Sequence, residues 1–487
     1  MKINHTMKKL AAASLCAVLA ASCASVPAGA RTLISPGDLD KDTFLTSNDA
    51  LTVLRLSLGI RPLDNVSKLY GDVDGDGVVN SGDALMILRE SIGVTAVLGA
   101  APEEPYTVND GVNDLSSEIF KRCCNSGENS MISPLSIYTA LSMAANGAGG
   151  KTKEEMNAIL GNECTTEEIN EYLNNYITNI NNGDILRTAN SLFVMEDNGV
   201  VVDPGFVDLI RKDYFAEVFY EPANNDTVDK INAWVGENTK GMIDKILEYD
   251  SLNQYTAAHL LNAVSFEAQW EDQYTEYDIK RRTFNNYGGS TAQVDFLCGI
   301  EDRYLSDDKA VGFMKDYSTP RLYNAETDKF DSPERYCFLA ILPNENVGVD
   351  GYIEQMNDTT IKDLVASATY SQVNTAIPKF SFDSTYALAD VLKDMGMKTA
   401  FDMHKADFSH LATHEDGNIY ISSVTHKTHI ELDENGTKAA AVTDIGFDIE
   451  SDMPAPITDI ILDRPFIFVI YDRNNNIPVF IGTVCEL

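Results

Sequence analysis

The sequence predicts two folded modules of different class, a small all-α unit within residues 31–94 and a large α+β domain over residues 115–487. Three observations carry this reading. Gly37–Gly59 and Gly71–Gly93 align without gaps at a spacing of 34 residues, and each copy ends in a helical apolar pattern. From Leu115 onward, helix periods crowd the first half and strand-like runs the second. That segregation marks an α+β domain rather than alternating βαβ units. Finally, Glu431–Pro465 joins two strand-like runs with no convincing period through most of its length. A loop that long in a compact domain usually binds or covers something.

Composition bounds the function. Of 487 residues, 44% are hydrophobic and 23% charged, as in a folded, soluble protein too long for one core. A net charge of −37 argues against nucleic acid or an anionic membrane as partner and favours cation binding. Lys8 and Lys9 lead an apolar run ending near Ala28-Gly29-Ala30, so residues 1–30 read as a secretory signal. No later run is long enough to predict a membrane span. Beyond the signal, six cysteines are scattered without a CxxC pair, which offers no zinc or iron–sulfur site and no obvious disulfide framework.

In the small module, acidic residues recur at loop positions 1, 3, 5 and 12. They are Asp38, Asp40, Asp42 and Asp49 in the first copy, and Asp72, Asp74, Asp76 and Asp83 in the second. Calcium takes six to eight hard oxygen ligands, and alternate carboxylates on a tight loop supply them. The backbone carbonyls of Phe44 and Val78 would complete the sets, so two calcium ions are expected. The first loop has Thr43 where a sharp turn wants glycine, predicting weaker binding there. Each loop leads into a helix expected to bury Ala50, Leu51, Leu54 and Leu58, or Ala84, Leu85, Leu88 and Ile92. Two calcium loops without entering helices, Asp at position 12 and the DALxxLR helix together resemble a dockerin. That resemblance implies attachment to a cohesin module of a scaffold protein in a secreted, cellulosome-like complex. It also implies that loop positions 10 and 11, Ser47-Asn48 and Ser81-Gly82, steer the choice of cohesin. Residues 95–114 read as a flexible linker.

In the large module, expected helices are Leu115–Cys124, Pro134–Ala145, Thr152–Leu160, Thr166–Asn179, Pro204–Tyr214, Thr227–Thr239 and Ser384–Met395. Expected strands are Ile185–Val194, Leu260–Phe266, Ala310–Tyr317, Phe338–Leu342, Ser371–Phe380, Ile419–Ile430, Phe466–Tyr471 and Val479–Val484. No GxGxxG, P-loop, GxSxG or HExxH motif is present, so the familiar nucleotide and hydrolase signatures are missing.

A distributed set of motifs does rise above background. Asn129 and Ser133-Pro134-Leu135-Ser136 come first, followed by ANSLFV (Ala189–Val194) and LLNAVSFEAQW (Leu260–Trp270). IPKF (Ile377–Phe380), HKTHIELDENGTKAAAVT (His426–Thr443) and DRPFIFVI (Asp463–Ile470) follow in order. Together they resemble a serpin over nearly all of residues 115–487. The resemblance implies an α+β serpin fold with a large central mixed or antiparallel sheet and an exposed reactive loop. It also implies a suicide inhibitor that forms a covalent acyl complex with an extracellular serine or cysteine protease. The chemistry would then belong to the partner, and this chain would not be an enzyme. A non-inhibitory, serpin-fold interaction protein is the alternative.

The hinge is Gly436–Thr443, namely Gly436, Thr437, Lys438, Ala439, Ala440, Ala441, Val442 and Thr443. Thr437, Ala439, Ala441 and Thr443 share one uniformly small face, which can enter a crowded core as a strand without desolvating a charge. Lys438 departs from the acidic residue common there in the family, but falls on the other face. Family spacing puts the reactive bond at Glu450-Ser451, within a window including Asp448, Ile449, Asp452 and Met453. The resemblance also assigns Ser133, Ser136, Asn262 and His426 to a buried polar cluster, the shutter, that holds the sheet closed.

Overall fold

The computed structural model describes residues 36–39, 45–60, 70–75, 77–91, 106–437 and 458–487, the last two ranges less 125, 162, 182–184, 319–321, 325–328, 332–335 and 416. The chain divides into two compact units, Met1–Pro105 and Tyr106–Leu487. The signal segment lies outside the described residues. Among the described residues no helix is long and apolar enough to cross a membrane.

The first unit packs helix α1 (Ser47–Ser57) against α2 (Ser81–Ser91). Its core is Ala50, Val53, Leu56, Val73, Val79, Ala84 and Ile87. The expected inward face is therefore corrected: Leu51, Leu54, Leu58, Leu85 and Leu88 are all exposed. Ile92 lies outside the described residues. Each helix carries apolar residues on more than one side, and periodicity cannot choose between two stripes. The loops choose, because Val73 and Val79 fill the space facing Val53 and Ile87.

The second unit starts earlier than expected. Helix α3 spans Val108–Cys123, so residues 108–114 form its first turns rather than a linker. Thr107 and Asp110 make a reciprocal capping box at its start. Gly111 lets the helix approach the chain at Leu160, since a Cβ there would stand 2.6 Å from the Leu160 carbonyl. Strand β1 (Ser130–Ile132) follows, then α4 (Pro134–Asn146), α5 (Gly150–Gly161) and α6 (Thr166–Asn181). Next come β2 (Leu186–Met195), α7 (Pro204–Asp213), β3 (Glu217–Glu221) and α8 (Asn225–Asn238).

The remainder is mainly β: β4 (Ala258–Phe266), β5 (Ala268–Gln269), β6 (Ile279–Asn285), β7 (Thr291–Ser306), β8 (Ala310–Asp316), β9 (Tyr336–Pro343) and β10 (Thr369–Pro378). Then come β11 (Phe380–Ala387), β12 (Thr425–Leu432), β13 (Gly436–Thr437), β14 (Thr458–Ile461), β15 (Phe466–Asp472) and β16 (Ile477–Val484).

The largest sheet runs β1-β16-β15-β9-β8-β7-β10-β14, with β6 also on β7. Its β15, β16 and β9 are buried throughout and mostly apolar, with Asp472 and Thr483 as buried polar exceptions. Two further sheets are β3-β2-β4 and β11-β12-β13-β5, and the second carries the start of the long loop. The expected helix Ser384–Met395 is corrected, because residues up to Ala387 belong to β11 and only Ala389–Asp394 is helical. Tertiary pairing wins there: β11 is laddered to β12 over its whole length, and Ser384 Oγ accepts the Met131 N–H at 3.0 Å.

Candidate functional site

The long loop leaves β12 at a compact turn built for close approach. Asp433 Oδ1 accepts the N–H groups of Asn435 and Gly436, at 2.8 and 3.2 Å. Glu434 pairs with Lys379 at 2.5 Å, and that hydrogen bond holds its carboxyl below the usual range. Gly436 then passes so near β5 that a Cβ would fall 2.0 Å from the Ala268 carbonyl oxygen. Gly436 pairs with Gln269 and Thr437 with Ala268 on one side, while Thr437 pairs with Leu432 on the other. The first two hinge residues are thus a strand flanked on both edges. Thr437 is 3% exposed, and its hydroxyl lies 2.6 Å from that of Tyr317. Lys438–Thr443 and the reactive-bond window Asp448–Met453 lie outside the described residues.

An aromatic platform supports this junction. Trp270 stacks on Tyr317 with centroids 4.6 Å apart, and its indole N–H donates to the Asp433 carbonyl at 2.9 Å. Beneath it, Lys315 lies over the rings of Trp270 and Tyr274 and pairs with Glu301 at 2.8 Å. Burial pushes the Glu301 carboxyl up to about 6, against the pull of Lys315.

Below Thr437 the sheet is parted. Among the described residues no ladder joins β4 to β12. A cavity of about 1250 Å³ lies between them, floored by Ile137 and Leu141 of α4 and walled by Leu260 and Asn262 of β4 and His426 of β12. All four expected shutter residues line this cavity, and hydrogen bonds join three of them. The Ser133 N–H donates to His426 Nε2 at 2.9 Å, Ser133 Oγ donates to the Val479 carbonyl at 2.9 Å, and the Ser136 N–H reaches Ser133 Oγ at 3.3 Å. Asn262 stands on the opposite bank and donates to Thr188 and Asn190, at 2.9 and 2.8 Å. Its Oδ1 is buried with no partner among the described residues. A cluster that closes a sheet must span it, and here the two banks are separated by the cavity. Burial pushes the His426 imidazole down to about 4, so it is neutral and free to accept from Ser133. Asn129 acts elsewhere, its side-chain oxygen accepting the N–H groups of Cys485 and Glu486 at 2.7 and 3.0 Å.

In the small unit, carboxylate oxygens of Asp72, Asp74 and Asp83 lie within 4.8 Å of one another, a donor set that fits a hard divalent cation. Asp83 also closes the loop, accepting the N–H groups of Val73 at 2.9 Å and Asn80 at 2.8 Å. Asp72 accepts from Gly75 and Gly77, which take positive φ as the tight turn requires. In the first loop Asp49 repeats the role of Asp83, accepting from Leu39 and Thr46 at 3.0 and 2.9 Å, and Asp38 is buried nearby in sequence. Asp40, Asp42, Phe44 and Asp76 lie outside the described residues. The Val78 carbonyl, expected as a ligand, accepts from Asn80 Nδ2 at 3.1 Å. Ser47, Asn48, Ser81 and Gly82 are exposed at the starts of α1 and α2.

The fold is thus a large sheet carrying helices, with a cavity below the short strand Gly436–Thr437 that begins the long loop. The serpin (serine protease inhibitor) family model matches residues 110–487, and this chain belongs to the serpin family. Residues 36–90 match the dockerin type I domain. A serpin-like protein of Thermococcus kodakarensis is 31% identical over 79% of this chain and 87% of its own length. The crystal structure of tengpin, a thermophilic serpin, in its native state matches with a TM-score of 0.70 and 36% identity, covering 79% of this chain and 96% of that one. Tengpin in its latent state matches with a TM-score of 0.67 and 35% identity, covering 79% and 99%.

Proposed function

We propose that the serpin domain is a suicide inhibitor of an extracellular serine or cysteine protease, and that the dockerin tethers it to a cohesin scaffold in a cellulosome-like complex. One observation carries the inhibitory reading: Thr437 already sits between two strands with its side chain turned into the core. Strand side chains alternate, so its parity carries Ala439, Ala441 and Thr443 inward and leaves Lys438, Ala440 and Val442 outside. Were the strand to continue in both registers, Thr443 would come opposite Asn262 and His426, and Phe447 opposite Ala258 at the far end of β4. Ile445 and Phe447 would then also face in, towards a cavity floored by apolar side chains, and Asp444 and Asp448 would face solvent. Every inward residue is apolar or a hydroxyl.

The chemistry belongs to the protease. Its nucleophilic oxygen or sulfur attacks the scissile carbonyl near Glu450-Ser451. The C–N bond breaks, the amine leaves with a proton, and the acyl bond to the protease remains. The freed strand enters the parted sheet and carries the acylated residue along β4, away from Thr437. Hydrolysis of the distorted acyl-enzyme then stalls.

The test mixes the protein with trypsin-, elastase-, subtilisin- and glutamate-specific proteases. A denaturation-resistant complex is expected with at least one, and the mass of the released C-terminal peptide locates the bond. Clean cleavage by all four without a complex would leave the non-inhibitory interaction protein as the reading.

For the dockerin, calcium would be held by Asp72, Asp74 and Asp83 and by the matching set of the first loop, where it neutralises the converging carboxylates. Exposed Leu51, Leu54, Leu85 and Leu88 beside Ser47, Asn48, Ser81 and Gly82 offer an apolar docking face. A calcium chelator, or Asp83→Ala, is expected to abolish cohesin binding by calorimetry and to unfold the small unit. Binding that persists in chelator would refute the cation dependence.

A further inference from the structure

Among the described residues three asparagines precede a glycine: Asn146, Asn198 and Asn435. The dipeptide is chemically weak, because no side chain on the glycine shields its nitrogen from the neighbouring side-chain amide. Asn146 and Asn198 are clamped. Asn146 Nδ2 donates to the Ser142 carbonyl and to Asn170 Oδ1, both at 2.9 Å, and Asn198 Nδ2 donates to the Asn253 and Thr256 carbonyls at 2.9 and 2.7 Å. Among the described residues Asn435 Nδ2 reaches Asp433 Oδ2 alone, at 3.3 Å and within its own turn.

We propose that Asn435-Gly436 is a deamidation site whose modification takes the hinge out of use, and that the Asp433 carboxylate slows it. The Gly436 nitrogen loses its proton to hydroxide and attacks Asn435 Cγ. A C–N bond forms, the Cγ–Nδ2 bond breaks, and ammonia leaves with a proton from water. Water then opens the imide at either carbonyl, giving an aspartyl or an isoaspartyl linkage with no change of oxidation state. The turn has no room for either product. An isoaspartyl linkage adds one backbone carbon beside Gly436, where the approach to β5 leaves no space even for a Cβ. It also turns the Asn435 carbonyl, which accepts the Trp270 N–H at 2.9 Å, into a free carboxylate. The aspartyl product replaces the Nδ2 donor with an oxygen facing Asp433 Oδ2, like charge against like charge. Either change works against the place of Thr437 between β12 and β5. Asp433 opposes the reaction. Its Oδ1 accepts the Gly436 N–H at 3.2 Å, so the proton that must leave is held, and its charge disfavours an anion on that nitrogen. The loss of inhibition rests on the inhibitory reading above; the deamidation does not.

The experiment ages the full chain at mildly alkaline pH, digests it, and follows the Asn435 peptide by mass and by isoaspartyl methyltransferase labelling. Peptides carrying Asn146 and Asn198 serve as internal references. Asn435 is expected to be modified first, and the yield of covalent complex to fall in step with it. Asp433→Ala is expected to speed the modification about tenfold, the weight of one hydrogen bond to a charged acceptor. Asn435→Gln, which would have to close a larger ring, is expected to keep its full yield through ageing. Thermal melting checks each fold, and Asp433→Asn replaces Asp433→Ala if that variant does not fold. Modification of Asn435 no faster than of Asn146 and Asn198 overturns the site. An unchanged or slower rate in the Asp433 variant overturns the slowing role, and modified protein that still gives complex in full yield overturns the effect on the hinge. A fresh wild type that forms no covalent complex overturns the inhibitory reading and the hinge effect with it, while modification at Asn435 would still establish the site.

Discussion

Thr437→Arg is expected to convert the protein from inhibitor to substrate. The wild-type side chain is 3% exposed and packed on Tyr317, at the first position where the loop becomes a strand. An arginine there cannot shed its charge, and burying it unpaired costs several kcal/mol. Insertion slows relative to hydrolysis, so the yield of denaturation-resistant complex should fall at least about tenfold while loop cleavage continues. Lys438→Ala is the matched control. The projected register puts Lys438 outside, and that variant should inhibit as well as the wild type. Full complex formation by Thr437→Arg would show that insertion beyond this position does not depend on a small, uncharged side chain here.

The second large effect is acid destabilisation centred on His426. Its folded-state value of about 4 lies below the ordinary 6.5, so the unfolded chain binds a proton that the folded chain refuses. Stability from this group is complete above pH 6.5 and is lost as pH falls towards 4. The shift corresponds to about 3 kcal/mol. His259, on the opposite bank, is pushed down to about 4 by burial and acts in the same direction. Glu301 acts oppositely. Its carboxyl, raised to about 6 by burial, is protonated first in the folded state, so the fold gains as pH falls from 6 to 4.5. Measuring His426→Gln against the wild type cancels both of those contributions. The stability gap by urea unfolding should shrink by about 3 kcal/mol between pH 7 and pH 4. A gap constant over that range would mean that His426 does not titrate with folding. The change should also expose the Ser133 N–H, since a protonated imidazole no longer accepts from it.

Local patterns were legible where one element decides its own conformation. The starts of α4, α6 and α7 fall where Ser133-Pro134, Thr165 and Asp203-Pro204 cap them. The repeat arithmetic placed both acidic loops and both following helices. What failed was choice between faces and partners. Val53 and Ile87 rather than Leu51 and Leu85 are inside because loop valines complete that side. Ile419–Ile430 reads as one strand-like run, yet only Thr425 onward is laddered, where β11 lies alongside. Strand β6 carries Lys280, Arg281 and Arg282 and gives no apolar alternation, so only its pairing with β7 reveals it.

The sequence by itself determined the two-module plan, the converging aspartates of the second loop and the small-residue face of Gly436–Thr443. Each is a local pattern, set by ligand spacing or by side-chain size at alternate positions. Only the tertiary structure decided that Thr437 is the inward residue, because parity needs a neighbouring strand to define inside and outside. It likewise decided that Asn262 and His426 stand apart. Whether two polar side chains meet depends on the distance between β4 and β12, which no spacing along the chain encodes.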